Sequence, residues 1–486
     1  MLTDPQQLRD EMDRVTRRQF LGQTSMGLGL AAMATVAGGS LLAPAAGAAD
    51  SAATPPVIPG LPPPHVLARA KRVIFLCMAG GPSHLETFDF KPKLRELSGK
   101  PMPAEFTKGQ PIAQLQGKAL TCLGAQTQFK RYGKGGLEIS DFLPHIGSVA
   151  DDIAIIRSMV TEQINHDPAH TFLNCGTILP GRPSMGAWVT YGLGSANENL
   201  PSFVVLTSKS NTGVQPIANR QWSAGFLPGR CQGVEFQGKG DPVHYVGNPQ
   251  GVNRTDQEHV MNAIGEVNRL RQAQVHDAEL ETRLEQYELA FRMQMSVPEL
   301  MDISDESPEV LAEYGAKPGD GSFASNCLLA RRLAERGVRF IHLYHRGWDF
   351  HGGLVGGLRE SCGKTDKPTA ALIRDLKRRG LLEDTLVVWG GEFGRTPMAQ
   401  GDGRDHHIKG YSMFVAGGGV KGGVTHGATD DLGYHAVQDI VNVRDLHATL
   451  LHQLGLNHDK LSFRYQGLDV KLTGVKPARV VTEILG

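Results

Sequence analysis

Residues 72–82 read RVIFLCMAGGP. After Arg72, the run from Val73 to Ala79 is wholly apolar, and Gly80, Gly81 and Pro82 end it. A continuous apolar run of this length, closed by glycine and proline, is typical of a strand that is buried on both faces. Strands of this kind occur in parallel sheets covered by helices, so the stretch predicts an interior strand of an α/β sheet.

Similar apolar runs recur along the chain, with helical patterns between several of them. The further predicted strands are 152–159, 202–206, 338–345, 385–391 and 412–418, and helices are predicted at 326–337 and 367–382. This alternation predicts an α/β fold with a mostly parallel sheet covered on both faces. Residues 255–297 carry helical spacing, many charges and no proline, so they predict a helical insertion.

The N-terminus has the features of an export signal. Residues 16–21 read TRRQFL, a twin-arginine pattern, and a weakly apolar stretch leads to Ala46-Gly47-Ala48, where a signal peptidase could cut. We expect residues 1–48 to be the signal, 49–70 a proline-rich linker, and 71–486 the folded domain. This predicts export by the twin-arginine machinery to the periplasm or cell envelope, with no stable membrane span in the mature chain.

Composition narrows the function only slightly. The 486 residues carry a formal net charge of +0, which gives no support for nucleic acid as a partner, and 40% hydrophobic content is ordinary for a globular protein. Gly417 to Gly422 matches a dinucleotide-binding glycine pattern, but no helix pattern follows it. No G-x-S-x-G nucleophile motif is present either.

Histidines and carboxylates follow the ends of several predicted strands. In open α/β sheets ligands bind beyond the carboxyl ends of the strands, so we expect these side chains to meet at one rim. Imidazole and carboxylate are ligands of zinc, manganese and similar divalent ions. Taken singly, each motif also fits an ordinary polar loop or ion pair. The predicted metal ligands are His84, Asp89, His166, Asp349, His351, Glu392, Asp405, His406 and His407.

These blocks resemble the family called domain of unknown function 1501, which belongs with the alkaline phosphatases and sulfatases. The resemblance covers about residues 71–475 and is carried by FLCMAGGPSHLETFDFKP, NHDPAHTFLNCG, GWDFHGG, VVWGGEFGRTP and GRDHHIKGYSMFVAGGGVKGG. It implies an alkaline-phosphatase-like three-layer sandwich with a bimetal hydrolase site. Asp349 and His351, with His406 or His407, resemble the ligands of one ion, and Glu392 resembles a ligand of the second.

The chain departs at several places from the pattern usual in the alkaline phosphatase and sulfatase superfamily. Ala79 and Gly80 stand where an Asp is usual after the first strand, a gap that His84, Glu86 or Asp89 could fill by reaching back. Phe393 stands where a His ligand is usual. Cys327 misses the formylglycine motif of sulfatases at its third position, so the expected nucleophile is the hydroxyl of Thr171, at a helix start, or a water activated by metal.

The resemblance implies an exported metal-dependent hydrolase of phosphate or sulfate esters. Arg395 or Arg404 is predicted to bind the substrate's oxyanion through its guanidinium. For each arginine, the alternative is a structural ion pair. The substrate would be a small-molecule or polysaccharide ester, and the cofactor one or two divalent ions, zinc or manganese, with calcium as an alternative. The other interpretation is a non-catalytic binding or scaffold protein of the cell envelope that keeps the fold.

Overall fold

The structure, a computed structural model, describes residues 65–210, 215–239, 242–243, 259–260, 262–267 and 278–486. The predicted signal, 1–48, and the linker up to residue 64 lie outside the described residues. The chain forms two compact units. One comprises 57–247 and 288–486 and contains the sheet and every predicted site residue. The other comprises 1–56 and 248–287 and is helical at the residues described, 259–260, 262–267 and 278–287.

The strands are numbered here in chain order. They are β1 Arg72–Ala79, β2 Phe129–Tyr132, β3 Leu137–Ser140, β4 Ile153–Val160, β5 Phe203–Lys209, β6 Val234–Phe236, β7 Phe340–Arg346, β8 Thr385–Gly390, β9 Gly394–Gln400, β10 Gly403–His407, β11 Tyr411–Ala416, β12 Val424–His426, β13 Ala428–Thr429, β14 Ala436–Gln438, β15 Val441–Asn442, β16 Phe463–Tyr465 and β17 Leu468–Val470. The six predicted strands are confirmed as β1, β4, β5, β7, β8 and β11.

The main sheet is mostly parallel, as predicted. Its order is β12-β4-β11-β8-β1-β7-β5-β6, with β15 also paired to β4. Only β11, among the strands of this sheet that the structure describes, runs antiparallel to its neighbours, β4 and β8. Strand β1 lies between β7 and β8, parallel to both, so the stretch 72–79 occupies the interior of the sheet.

The α-helices are also numbered in chain order. They are α1 Pro92–Glu96, α2 Ala104–Thr107, α3 Pro144–Gly147, α4 His166–Cys175, α5 Met185–Leu193, α6 Ala278–Met301, α7 Pro308–Tyr314, α8 Phe323–Glu335, α9 Leu354–Arg378 and α10 Val443–Gln453. Helix α9 begins well before the predicted start at residue 367 and runs through Pro368. A proline is usually a helix boundary, which is why the sequence placed the start too late.

Helices cover both faces of the sheet, which confirms the three-layer arrangement. Side chains alternate along β1, so Ile74 and Leu76 belong to one buried cluster and Val73 and Phe75 to the other. The first cluster includes residues of α8 and α9, and the second includes residues of α4, α5 and α10. Within the described ranges, no helix combines the length and apolar character needed to cross a membrane.

Candidate metal centre

Four segments bring polar side chains to one rim of the sheet. Asp349 and His351 lie in the loop after β7, and Glu392 follows β8. His166 is the first residue of α4, which follows β4, and His406 lies on β10, paired with β9 in a hairpin. The convergence expected from the sequence is therefore present, because parallel strands end at the same edge.

Asp349 lies at the centre of this group. Its Oδ1 is 3.0 Å from Nε2 of His351 and 3.4 Å from Nε2 of His406. Its Oδ2 is 3.1 Å from Nε2 of His166. Burial acts to raise the pKa of Asp349, but the three surrounding imidazoles and the charge of Arg395 hold it well below its usual range. Asp349 is therefore a carboxylate, with its oxygens turned toward three rings.

The carboxylate of Glu392 is held by the turn that follows β1. The amides of Gly80 and Gly81 donate to its carboxylate at 3.0–3.2 Å. Gly80 has φ +125°, and a Cβ there would lie 2.6 Å from the backbone nitrogen of Asp349. At Gly80, one of the two positions where the sequence lacks an expected Asp, there is therefore no space for a side chain, and the carboxylate of Glu392, which follows β8, lies against the Gly80 amide. His84 and Asp89 do not fill this gap.

His166 connects the two carboxylates through its opposite ring nitrogens. Nδ1 lies 2.6 Å from Oε1 of Glu392, and Nε2 lies 3.1 Å from Oδ2 of Asp349. Burial lowers the pKa of His166, but its contacts with Asp349 and Glu392 outweigh burial and raise the pKa to about 9. Each nitrogen thus faces a different carboxylate.

His170, one helical turn after His166, was not among the predicted ligands. Its side chain is fully buried, and its Nε2 lies 3.3 Å from Oε1 of Glu392. Burial raises the pKa of Glu392, but His170 and His166 hold it well below its usual range. The H-x-x-x-H spacing of 166 and 170 could have revealed this residue, since positions i and i+4 share one face of a helix.

These side chains form two groups of metal-ligand type. One consists of His166, His170 and Glu392, the other of His166, Asp349 and His406, and within each group the donor atoms lie within 4.8 Å of one another. Nδ1 and Nε2 of His170 and Nε2 of His166 have no hydrogen-bond partner of suitable geometry among the described residues. Buried polar atoms are normally satisfied, so unpaired imidazole nitrogens beside carboxylates fit a divalent cation.

The sequence profile of the family described as "Protein of unknown function (DUF1501)" matches residues 70–485. The chain belongs to this family. A search of curated proteins finds no match. Solved structures that the DUF1501 chain resembles include the PsFucS1 sulfatase from Pseudoalteromonas sp. (13% identity, 84% of this chain, 72% of that chain, TM-score 0.35). They also include the phosphonate monoester hydrolase SpPMH from Silicibacter pomeroyi (12%, 71% and 71%, 0.33) and a TAB5 alkaline phosphatase mutant (10%, 80% and 99%, 0.31). These likenesses are distant and carry no residue role.

Phe393 of this DUF1501 chain, the residue in place of a usual His ligand, packs among the rim imidazoles. Its ring centroid lies 4.9 Å from that of His166 and 4.6 Å from that of His406. It is fully buried. Phe393 therefore supplies an apolar wall against which two ring donors are packed, which fixes their orientation without offering a donor of its own.

Arg395 is at the rim but its donors are engaged. Its guanidinium donates to the carbonyls of Gly80, Gly81 and Arg404 and, at 2.5 Å, to Oδ1 of Asp349. The residue is 1% exposed. Arg395 thus holds the carboxylate of Asp349 and the turn after β1, and the donors used in these bonds are not available to bind a substrate.

Arg404 does not face the rim. It is fully buried and pairs with Glu86, with Nη2 2.5 Å and Nε 2.9 Å from the carboxylate oxygens. Its remaining donors reach the carbonyls of Thr396 and Gly124. Of the two alternatives given by the sequence, the structural ion pair is the one that the structure places here.

The structure places four other predicted ligands away from the rim group. Asp405 accepts the amide of Leu115 at 2.8 Å and that of its neighbour His406 at 2.9 Å. Asp89 lies 3.0 Å from Nζ of Lys91 and also accepts the hydroxyl of Thr429. Both carboxylates are fully buried, so their oxygens are committed to the protein.

His84 and His407 bond the backbone of the loop at 433–434 and do not face the rim. The ring of His407 bonds the carbonyl of Tyr434, and Nε2 of His84 lies 2.9 Å from the carbonyl of Gly433. Burial lowers the pKa of both rings, to about 3 for His407. Because neighbours on a strand point to opposite faces, His406 reaches the centre and His407 does not.

Thr171 is the sixth of the ten residues of α4, and so does not lie at the helix start. It is 5% exposed, and its hydroxyl donates to the carbonyl of Asp167 at 2.9 Å. A hydroxyl bonded within its own helix is poorly placed to attack a substrate. The hydroxyl of the predicted nucleophile is therefore engaged within its own helix.

Proposed function

We propose that this chain is an exported, metal-dependent hydrolase of phosphate or sulfate esters. The observation that carries the proposal is the group formed by His166, Asp349 and His406 at the carboxyl ends of the sheet strands. Its side chains are partly accessible, with 14% of His166 and 24% of Asp349 exposed. A metal centre that acts on a substrate needs such an open side.

The donor set fits zinc or manganese better than calcium, because imidazole nitrogens outnumber carboxylate oxygens in it. His166, Asp349 and His406 would hold the ion, which when bound lowers the pKa of a water and stabilises charge on an ester oxygen. Arg395 holds the Asp349 carboxylate in place, and Phe393 excludes water from one side of the rings.

His351 has a separate task in this proposal. It is 23% exposed, and its Nε2 lies 3.0 Å from Nε2 of His406 and 3.0 Å from Oδ1 of Asp349. The ring's other nitrogen bonds the side chain of Gln400, which fixes its orientation. His351 is thus positioned either as a further ligand or to pass a proton to a leaving oxygen.

The test combines metal analysis with turnover. The mature protein is purified, its zinc, manganese, calcium and iron are measured, and aryl phosphates, aryl sulfates and phosphonate monoesters are screened. Asp349→Asn and His406→Gln should each remove at least one ion per chain and abolish turnover. The exposed His145→Gln is the matched control and should change neither. Full metal content in both rim variants would refute the proposal.

A non-catalytic envelope protein is the second candidate. It is favoured by the engagement of the Thr171 hydroxyl inside α4 and by the apolar Phe393 in the rim. Metal in the protein without turnover on any ester of the screen would favour it. Metal with turnover that is lost in Asp349→Asn would exclude it.

Export is a separate part of the proposal and rests on the TRRQFL motif at 16–21. Replacing Arg17 and Arg18 by Lys should keep the protein in the cytoplasm, and the exported form should begin near Ala49. Equal export of the parent in cells lacking the twin-arginine translocase would contradict this route.

A further inference from the structure

The two donor groups at the rim meet in a single imidazole. Nδ1 of His166 faces Glu392 at 2.6 Å, and Nε2 faces Asp349 at 3.1 Å. An aromatic ring cannot turn both nitrogens to one side, so the two groups lie on opposite edges of the same ring. Ions held there would be separated by the ring itself, farther apart than the ~3.5–4 Å of a close two-metal pair.

The group on the Nδ1 side is closed. The side chains of His170 and Glu392 are both 0% exposed, and the amides of Gly80 and Gly81 hold the carboxylate from the strand side. A buried carboxylate is unfavourable unless a positive charge and hydrogen bonds compensate it. Nδ1 and Nε2 of His170 are without a hydrogen bond to any described residue, which leaves Nε2, 3.3 Å from Oε1 of Glu392, available to a cation.

The group on the Nε2 side is open. Asp349 is 24% exposed, and the neighbouring His351 is 23% exposed. Closed sites with all positions taken by the protein are typical of structural ions, whereas catalytic sites keep an accessible position. The difference in burial therefore assigns different roles to the two groups.

We infer that His166 is a shared ligand between two unlike ions: an inner, structural ion held with His170 and Glu392, and an outer, exchangeable ion held with Asp349 and His406. A ring bound through both nitrogens is an imidazolate, so both ring protons of His166 leave to solvent as the two ions bind. The inference rests on the proposed function and adds that the two ions of its site have different roles, one structural and one exchangeable. The inner ion fixes the ring of His166 through Nδ1, and this holds Nε2 toward Asp349. The outer position is thus pre-organised by the inner one.

The experiment counts ions and follows their release. The mature full-length protein is loaded with zinc, separated from free metal, and treated with a chelator while released zinc is measured optically. The parent should hold two ions per chain. One should leave rapidly, and the other roughly tenfold more slowly or only on unfolding, since its release requires local opening.

Three variants separate the positions. His170→Phe should lose the slow ion and keep a rapidly released one. Asp349→Asn should lose the rapid ion and keep the slow one. His342→Phe is the matched control, because it also replaces a buried imidazole in the same layer, stacked on Phe75 and Tyr344, and it should release zinc as the parent does. If His170→Phe does not fold, Glu392→Gln should give the same reading.

The outcomes separate this inference from the proposed function. A parent that holds one ion, lost in Asp349→Asn, would overturn the shared ligand and leave the hydrolase proposal intact. Two-phase release of two ions from both His170→Phe and Glu392→Gln would also overturn it. A parent that holds no ion would overturn both.

Discussion

Replacing Gly80 by Ala tests how the turn after β1 builds the centre. The new Cβ would lie 2.6 Å from the nitrogen of Asp349 and 2.7 Å from the carbonyl carbon of Trp348, both backbone atoms that cannot rotate away. Overpacking of this kind costs about 1–3 kcal/mol. Holding a non-glycine residue in a sparsely populated backbone region adds about 1–3 kcal/mol. We therefore expect Gly80→Ala to lower the free energy of unfolding by about 2–6 kcal/mol.

The same change should also reduce metal binding, because the clash pushes on the backbone that carries Asp349 and on the amide that holds Glu392. Urea unfolding and metal analysis measure the two effects. Gly109→Ala is the matched control: Gly109 has φ +73°, and no atom lies within 4 Å of its Cβ position. It should show only a backbone penalty of about 1–2 kcal/mol and full metal content. Equal stability and equal metal in the two variants would refute the reasoning.

Three further predictions concern residues that are not proposed as metal ligands. Arg404→Met should lower the free energy of unfolding by about 3–5 kcal/mol, because it leaves the buried carboxylate of Glu86 without its partner. The double variant Arg404→Met with Glu86→Leu should recover part of this loss. Weaker phosphate binding at unchanged stability would contradict the structural role of Arg404. Thr171→Val should cost about 1 kcal/mol in urea unfolding and leave turnover intact, so complete loss of turnover in a folded, metal-loaded variant would make Thr171 the nucleophile. Burial lowers the pKa of His447 to about 4 in the fold, against about 6.5 when unfolded. Its neutral ring therefore stabilises fully above about pH 6.5, and up to about 3 kcal/mol is lost as the pH falls toward 4; His447→Gln should flatten this part of the stability–pH curve, and an unchanged slope would refute it.

Much of the architecture could be read from apolar runs, because each of the six predicted strands contains a short apolar run that glycines or polar residues end. Helix α9 was misplaced because Pro368 suggested a boundary, whereas the helix begins at Leu354. Its first turns contain Gly356 and Gly357, which weaken the helical signal in the sequence. Packing of this helix against the sheet stabilises it, and the local pattern does not report such tertiary contacts.

The candidate centre could be predicted in part. His166, Asp349, His351, Glu392 and His406 meet because strand ends share an edge, which topology alone implies. Asp405 and His407 flank a residue of the centre and still point elsewhere, since the pleat of β10 alternates its side chains. The engagement of Arg395 and Arg404 depends on backbone carbonyls and on Glu86, which come from distant segments, and no spacing rule in the sequence indicates those contacts.

Glu392 illustrates how a turn without a carboxylate can be supplied with one from a neighbouring strand end. The sequence shows only that Ala79 and Gly80 lack a carboxylate where one is usual. The structure adds that Gly80 has no space for a side chain and that the freed amides bind Glu392. The compensation comes from β8, the strand next to β1 in the sheet but more than 300 residues away in the chain.

The most direct test of the account is an anomalous-difference map from crystals of the mature protein loaded with zinc, recorded at the zinc absorption edge. We expect a peak among Nε2 of His166, the carboxylate of Asp349 and Nε2 of His406. Zinc-loaded crystals that diffract well and show no peak there, or show their strongest peak at His84 or His407, would contradict it.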